Sequence, residues 1–172
     1  MQLPQPRELI AKLGRGLGYL AAFFVIAAII NVFQSPDTKS VPATAALELK
    51  TLAGERVTIT TNTGKKTLVY FFAPWCAVCK ISMDAVDMFA GKANLQAIAV
   101  GLDYDNPTEL KPFAEKRSVP VYAGGADLQQ RFKVDRYPTV YILNGDGTIS
   151  HVMVGYTSRF GIWIRTLLFI LK

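Results

Sequence analysis

The stretch TLVYFFAPWCAVCK, residues 67–80, decides how this chain folds. Its first half, residues 67–73, is an unbroken run of apolar, β-branched and aromatic side chains, which is typical of a strand buried on both faces of a sheet. Pro74 ends the strand, and from Cys76 onward the apolar positions follow helical spacing until near Gly91. The sequence therefore predicts that a central strand, a turn and a helix meet at a pair of cysteines.

The segments that follow predict a mixed sheet. Residues 95–102 form a second buried strand and a helix is expected over residues 108–117, so the two buried strands pair in parallel through a right-handed crossover. Residues 139–143 and 148–154 flank the turn Asn-Gly-Asp-Gly at 144–147, which predicts an antiparallel hairpin. Together these patterns predict an α/β fold with a central mixed β-sheet flanked by helices.

Shorter elements complete the predicted domain. Strands at 47–49 and 57–60 predict an N-terminal β-hairpin, and a short helix is expected over residues 127–132. A last helix, residues 158–172, is apolar, but it is too short and carries an arginine, so we expect it to pack on the sheet and not to cross a membrane.

The N-terminal segment predicts a membrane anchor. Residues 16–36 carry no charge and are long enough to cross a bilayer as a single transmembrane helix. Arg7, Lys12 and Arg15 precede this segment while only Lys39 follows closely, and the excess of positive charge places the N-terminus in the cytoplasm. A cleavable signal peptide is the alternative, although the apolar part is longer than usual for one and no cleavage motif follows closely.

The predicted organisation has four parts. They are a cytoplasmic N-terminus at 1–15, a transmembrane anchor at 16–36, a linker at 37–45 and a folded domain at 46–172 that faces the periplasmic or extracytoplasmic side of the cytoplasmic (inner) membrane. The formal net charge of +6 is scattered along the chain and accompanies no recognisable nucleic-acid motif. We therefore expect no nucleic acid among the partners.

The two cysteines, Cys76 and Cys79, predict redox chemistry. A cysteine that opens a helix gains thiolate character from unpaired backbone N–H groups and from the helix dipole, so Cys76 is the expected nucleophile. The i, i+3 spacing lets Cys79 attack a mixed disulfide on Cys76 and release the substrate, which makes Cys79 the expected resolving thiol. Trp75 and Pro74 are expected to shield the pair while Cys76 stays at the surface.

Two nearby thiols can also serve other functions. A structural zinc site needs four ligands, and two cysteines with the single histidine, His151, cannot supply them. A structural disulfide closing so short a loop would stabilise little. Two thiolates could hold Cu(I), and a Cu(I)-handling protein is an alternative function. A redox role with no bound metal is favoured.

The segment VYFFAPWCAVCK, residues 69–80, resembles the active-site strand, turn and helix of the thioredoxin superfamily. RYPT at 136–139 resembles the superfamily's cis-proline loop, and YILNGDGTI at 141–149 resembles its antiparallel hairpin. With the predicted anchor and the N-terminal hairpin, the chain is most similar to the TlpA/ResA branch of membrane-anchored extracytoplasmic thioredoxins.

This resemblance implies a function and further site residues. It implies a protein-disulfide oxidoreductase whose Cys76/Cys79 pair cycles between dithiol and disulfide, with protein thiols and disulfides as substrates and no cofactor. It also implies a cis bond before Pro138 and a substrate-binding surface made by Trp75, Tyr137 and Pro138. Family habit favours the reductase direction, with electrons from a membrane donor of the DsbD or CcdA type. A redox-inert peptide-binding module is a further alternative.

The chain departs from the family pattern near the cysteines. Thioredoxin has a buried aspartate six residues before its first cysteine and some relatives have a glutamate three after the second, but these positions are Tyr70 and Ser82 here. Neither side chain is a carboxylate base, so deprotonation of Cys79 needs another route, such as water or Asp84. The dipeptide between the cysteines, Ala77-Val78, does not by itself predict the redox potential of the pair.

Overall fold

The computed structural model of the chain describes residues 44–155 and six isolated helical positions, 16, 18, 19, 22, 25 and 26. Two compact units, Met1–Ser35 and Pro36–Lys172, make up the chain, and the second contains every element described below. Within the described residues, no helix has the length and apolar character needed to cross a membrane. Most of the predicted anchor, nearly all of the predicted linker and the predicted last helix lie outside the described residues.

A seven-stranded mixed sheet forms the centre of the described domain. Its strands are β1 (Ala46–Lys50), β2 (Arg56–Thr60), β3 (Lys66–Phe72), β4 (Leu95–Gly101), β5 (Val121–Ala123), β6 (Thr139–Leu143) and β7 (Ile149–Val154). The strand order is β2-β1-β5-β4-β3-β6-β7. Strands β3, β4 and β5 run parallel, while the β1–β2, β1–β5, β3–β6 and β6–β7 pairs are antiparallel. The predicted mixed sheet and N-terminal hairpin are therefore present.

The helices of the described domain are short. They are α1 (Ala77–Asp87), a 3₁₀ helix (Pro107–Leu110), α2 (Lys111–Ala114) and α3 (Ala126–Arg131). The helix predicted over 108–117 is present in part, as a 3₁₀ helix followed by an α-helix that ends at Ala114. Pro112 has no N–H to continue the hydrogen bonding of the 3₁₀ turn, and the backbone leaves the helical region at Glu115, where ψ is 132°, before a positive φ of 58° at Lys116.

Both faces of β3 are buried, which explains its continuous apolar sequence. Successive side chains of a strand point to opposite faces, so the strand divides its residues between two cores. Leu68, Tyr70 and Phe72 belong to the core on the side of α1, whereas Val69 and Phe71 belong to the core that contains Phe132 and Tyr141. This alternation places the Tyr70 side chain on the same side of the sheet as the cysteines.

The turn between β6 and β7 requires glycine at position 147. Gly147 has a φ of +81°, and its N–H donates a hydrogen bond to the Asn144 carbonyl oxygen at 2.9 Å. A Cβ at this position would press against the backbone of Thr44. Only glycine adopts this conformation without strain. The turn that the sequence predicted at 144–147 is thus also the point where the hairpin meets the start of the described domain.

Candidate active site

The two cysteines lie at the start of α1, directly after the turn that follows β3. Cys76 is the N-cap residue, with extended backbone angles (φ −80°, ψ 107°), and its N–H donates to the Ala73 carbonyl oxygen at 3.1 Å. The Cys76 Sγ accepts a hydrogen bond from the Cys79 N–H at 3.2 Å. Both residues are free thiols in this structure. The Cys76 sulfur therefore lies at the N-terminus of α1, in contact with a backbone N–H of the first turn.

The two thiols differ in their exposure to solvent. Cys76 is 7% exposed, less than the sequence predicts for a surface nucleophile, while Cys79 is completely buried. Burial, and after it a hydrogen bond with Cys76, raise the pKa of Cys79 to about 12. Only Cys76 offers any surface to an incoming disulfide, so the geometry favours Cys76 as the attacking thiol and Cys79 as the thiol that resolves.

Trp75 is 65% exposed and connects two loops beside the cysteines. Its Nε1–H donates to the backbone carbonyl oxygen and to the Oδ2 of Asp103, each at 3.2 Å. Its ring meets the Tyr137 ring edge-on, with 5.7 Å between the centroids. Asp103 is a site residue that the sequence analysis missed, because it lies 28 positions after Trp75 and no local pattern connects the two.

Tyr137 and Pro138 lie in the loop that leads into β6. The Tyr137–Pro138 peptide bond is cis, as the family resemblance implies. The Tyr137 hydroxyl accepts a hydrogen bond from Gln129 Nε2 at 3.1 Å. Burial first, and then the charges of Asp103 and Cys79, raise the pKa of Tyr137 to about 12, so this phenol stays neutral. The structure thus brings Trp75, Tyr137 and the cysteine pair into one site.

The residues at the two carboxylate positions, Tyr70 and Ser82, are both buried. The Tyr70 hydroxyl donates to the Cys79 carbonyl oxygen at 3.0 Å, and Ser82 lies one helical turn after Cys79 on the buried face of α1. Asp84, one candidate for the proton acceptor, is 67% exposed and forms an ion pair with Arg117 at 2.8 Å. This ion pair directs the Asp84 carboxylate to another partner.

The described residues supply no cluster of further ligands for a zinc or Cu(I) ion. Within residues 44–155 and the six isolated positions, no group of three or more His, Cys, Asp and Glu side chains is arranged to hold a metal ion. His151 lies in β7, opposite Ile142 of β6, and its Nδ1 is 2.9 Å from Ser150 Oγ.

Comparison with known proteins places this geometry in a family. The model of the Redoxin family matches residues 36–160. The chain is 30% identical over 140 residues to the thioredoxin-like protein YneN of Bacillus subtilis, covering 75% of this chain and 82% of that protein. It is 24% identical over 127 residues to sporulation thiol-disulfide oxidoreductase A of Bacillus subtilis, covering 69% of this chain and 76% of that protein.

A solved structure supports the same assignment. The crystal structure of StoA from Bacillus subtilis superposes with a TM-score of 0.61 at 25% identity, covering 73% of this chain and 99% of that one. Its near-complete coverage means that the thioredoxin-like domain is matched as a whole unit. The chain therefore belongs to the Redoxin family and is a TlpA/ResA-like member of the thioredoxin superfamily.

Proposed function

We propose that this chain, a thiol-disulfide oxidoreductase of the thioredoxin superfamily, is anchored in the cytoplasmic membrane and reduces disulfides of proteins on the extracytoplasmic side. One observation carries the chemistry. The two thiols sit at the same helix N-terminus, but Cys76 alone has any solvent exposure, while Cys79 is buried and has a raised pKa. A pair with this asymmetry can attack and resolve in a defined order.

The reaction follows from that order. The Cys76 thiolate attacks one sulfur of the substrate disulfide, and a mixed disulfide forms as the other substrate sulfur leaves as a thiolate. Cys79 then loses its proton and attacks Cys76 Sγ, so the Cys76–Cys79 disulfide forms and the second substrate sulfur leaves. The substrate gains two electrons and two protons in total, and the protein must be reduced again before another cycle.

Trp75, Tyr137 and Pro138 are the proposed substrate-binding residues. Trp75 presents a largely exposed ring next to Cys76, and its hydrogen bonds to Asp103 and its edge-on contact with Tyr137 hold that ring in place. Pro138 has no N–H of its own, so an extended substrate segment would pair with neighbouring backbone groups in this loop. An exposed aromatic ring beside the nucleophile favours an unfolded or extended protein segment as the substrate.

The proposed extracytoplasmic location rests on the N-terminal sequence, and the proposed reductase direction rests on the activity that is usual in the family. Residues 16–36 are uncharged and follow three basic residues, which supports an anchor with the catalytic domain outside the cytoplasm. We propose that electrons reach the Cys76–Cys79 disulfide from a membrane thiol donor of the DsbD or CcdA type. No bound cofactor takes part in this exchange.

The reduction potential of the Cys76/Cys79 couple tests the proposed direction. The full-length chain in detergent is equilibrated with glutathione buffers, and the fraction of disulfide is measured by thiol trapping. A potential near that of thioredoxin, about −270 mV, is expected for a reductase, whereas a value near about −120 mV would make the protein an oxidant.

Two variants separate the steps and test the activity itself. Cys76→Ser should abolish insulin-disulfide reduction, and Cys79→Ser should accumulate a mixed disulfide with the substrate. If no reversible two-electron couple appears and the chain retains stoichiometric Cu(I), the oxidoreductase function is wrong and the thiols handle copper.

A further inference from the structure

The step that the fold makes difficult is the deprotonation of Cys79. This thiol is completely buried, and burial raises its pKa to about 12, yet it must become a nucleophile to release the substrate. The carboxylates of α1 are engaged elsewhere, because Asp84 pairs with Arg117 and Asp87 accepts the N–H groups of Ser118 and Val119 at 2.8 Å each. Both carboxylates thus already have partners.

The Tyr70 hydroxyl reaches Cys79 from the sheet. Tyr70 lies in the middle of β3, is completely buried, and donates a hydrogen bond to the Cys79 carbonyl oxygen at 3.0 Å. Burial is the main cause that raises the pKa of Tyr70, followed by the negative charge of a Cys79 thiolate. The phenol therefore keeps its proton and acts as a hydrogen-bond donor, not as a base.

The Ser82 hydroxyl lies on the buried side of α1, near the Tyr70 hydroxyl. Ser82 is 1% exposed, and its Oγ makes no hydrogen bond of ordinary geometry with any described part of the chain. It lies near enough to the Tyr70 phenol to lower the pKa of that group. A buried hydroxyl without a partner destabilises a fold, so the Ser82 hydroxyl is a donor that is available to a negative charge formed one helical turn away at Cys79.

We propose that the hydroxyls of Tyr70 and Ser82 act together as positioning residues that hold Cys79 and donate hydrogen bonds to its sulfur as the thiolate forms. In this step the Cys79 S–H bond breaks, a bond forms between Cys79 Sγ and Cys76 Sγ, and the bond between Cys76 Sγ and the substrate sulfur breaks. The departing substrate thiolate takes up the proton that Cys79 loses, so no carboxylate base is needed. This inference rests on the proposed function and assigns the residues that assist its second step.

A two-phase reaction with an aromatic disulfide reagent isolates that step. Reduced full-length chain in detergent is mixed with excess reagent, and the coloured aromatic thiolate is followed by stopped flow. The first equivalent reports the attack by Cys76 and depends on reagent concentration, whereas the second reports the intramolecular attack by Cys79 and does not. We expect Tyr70→Phe and Ser82→Ala each to slow the second phase about fivefold and to leave the first phase within about twofold of wild type.

Tyr141→Phe is the matched control. Tyr141 is also a buried tyrosine whose hydroxyl donates to a backbone carbonyl, that of Phe132, but it belongs to the core on the other side of the sheet. If both test variants slow the second phase less than about threefold relative to this control, or slow both phases equally, the inference is overturned. Ser82→Ala decides the question alone if Tyr70→Phe does not fold. A wild-type chain that releases no second equivalent would instead refute the proposed function.

Discussion

Replacing Cys76 with serine leaves Cys79 as the chain's only cysteine, so that an alkylating reagent such as iodoacetamide reports on this thiol alone. We expect the folded Cys76→Ser variant to react at pH 8 at least about a hundredfold more slowly than the same variant unfolded in urea. The comparison is made within one chain, so differences in reagent or sequence do not enter.

The magnitude follows from the environment of the Cys79 sulfur. The thiolate is the species that reacts, and the fold raises the pKa of Cys79 from 9.0 to about 12. Each unit changes the thiolate fraction tenfold, so a change of about three units lowers it about a thousandfold at pH 8. Burial is the largest cause of the raised pKa and persists in the serine variant, whereas the contributions of the Cys76 hydrogen bond and charge are lost there. The expected ratio for the variant is therefore lower, at least about a hundredfold.

The assay is a time course of labelling, quenched and read by mass spectrometry of the intact chain. The Cys79→Ser variant provides the control, since Cys76 has some solvent exposure and should be labelled readily in the folded chain. A folded-to-unfolded ratio of less than about tenfold for Cys79 would refute the reasoning, because a sulfur that reacts so readily is not desolvated by the fold.

Three further outcomes are expected. In the reduced chain the Cys79 thiol is protonated below about pH 9 in both the folded and the unfolded state, and between about pH 9 and pH 12 only the unfolded chain releases this proton. The free energy of unfolding of the wild type should therefore fall between pH 8 and pH 10 by about 1.4 kcal/mol more than that of Cys79→Ala. Urea titration at the two pH values measures this difference. Trp75→Phe removes the N–H that binds Asp103 and should lower kcat/KM for insulin reduction about threefold, while an unchanged value would mean that this bond does not position the ring. Gly147→Ala forces a side chain into a φ of +81° against Thr44 and should lower the unfolding free energy by about 1 to 3 kcal/mol; equal urea midpoints would contradict the required glycine.

Much of the fold is predictable because its signals are local. The run at 67–73 becomes β3, helical spacing begins at the cysteines as α1, and Asn-Gly-Asp-Gly at 144–147 forms the turn between β6 and β7. Each of these signals comes from neighbouring residues, whose side-chain period and turn preferences act before any distant contact forms. The helix predicted over 108–117 begins as a 3₁₀ helix and ends early, at Ala114, because the backbone turns out of the helical region at Glu115 and Lys116.

The anchor, the extracytoplasmic location and the reductase direction stay predictions. They rest on residues 16–36, on the charges around them and on the habits of the family. The reduction-potential measurement addresses the direction, and a topology assay with a reporter fused to the C-terminus would address the location. Activity of a reporter that works only outside the cytoplasm is the expected result, and its absence would contradict the predicted orientation.

The sequence by itself determined that two cysteines open a helix after a buried strand, and this was enough to predict which groups react. Only the tertiary structure decided which groups surround them. The hydrogen bonds of Trp75 with Asp103 and of Tyr70 with Cys79 join residues of different elements, and the sheet order β4-β3-β6 brings their loops together. Such contacts depend on how strands far apart in the chain pair and on which face of β3 packs against α1, and no local pattern of side chains encodes that pairing.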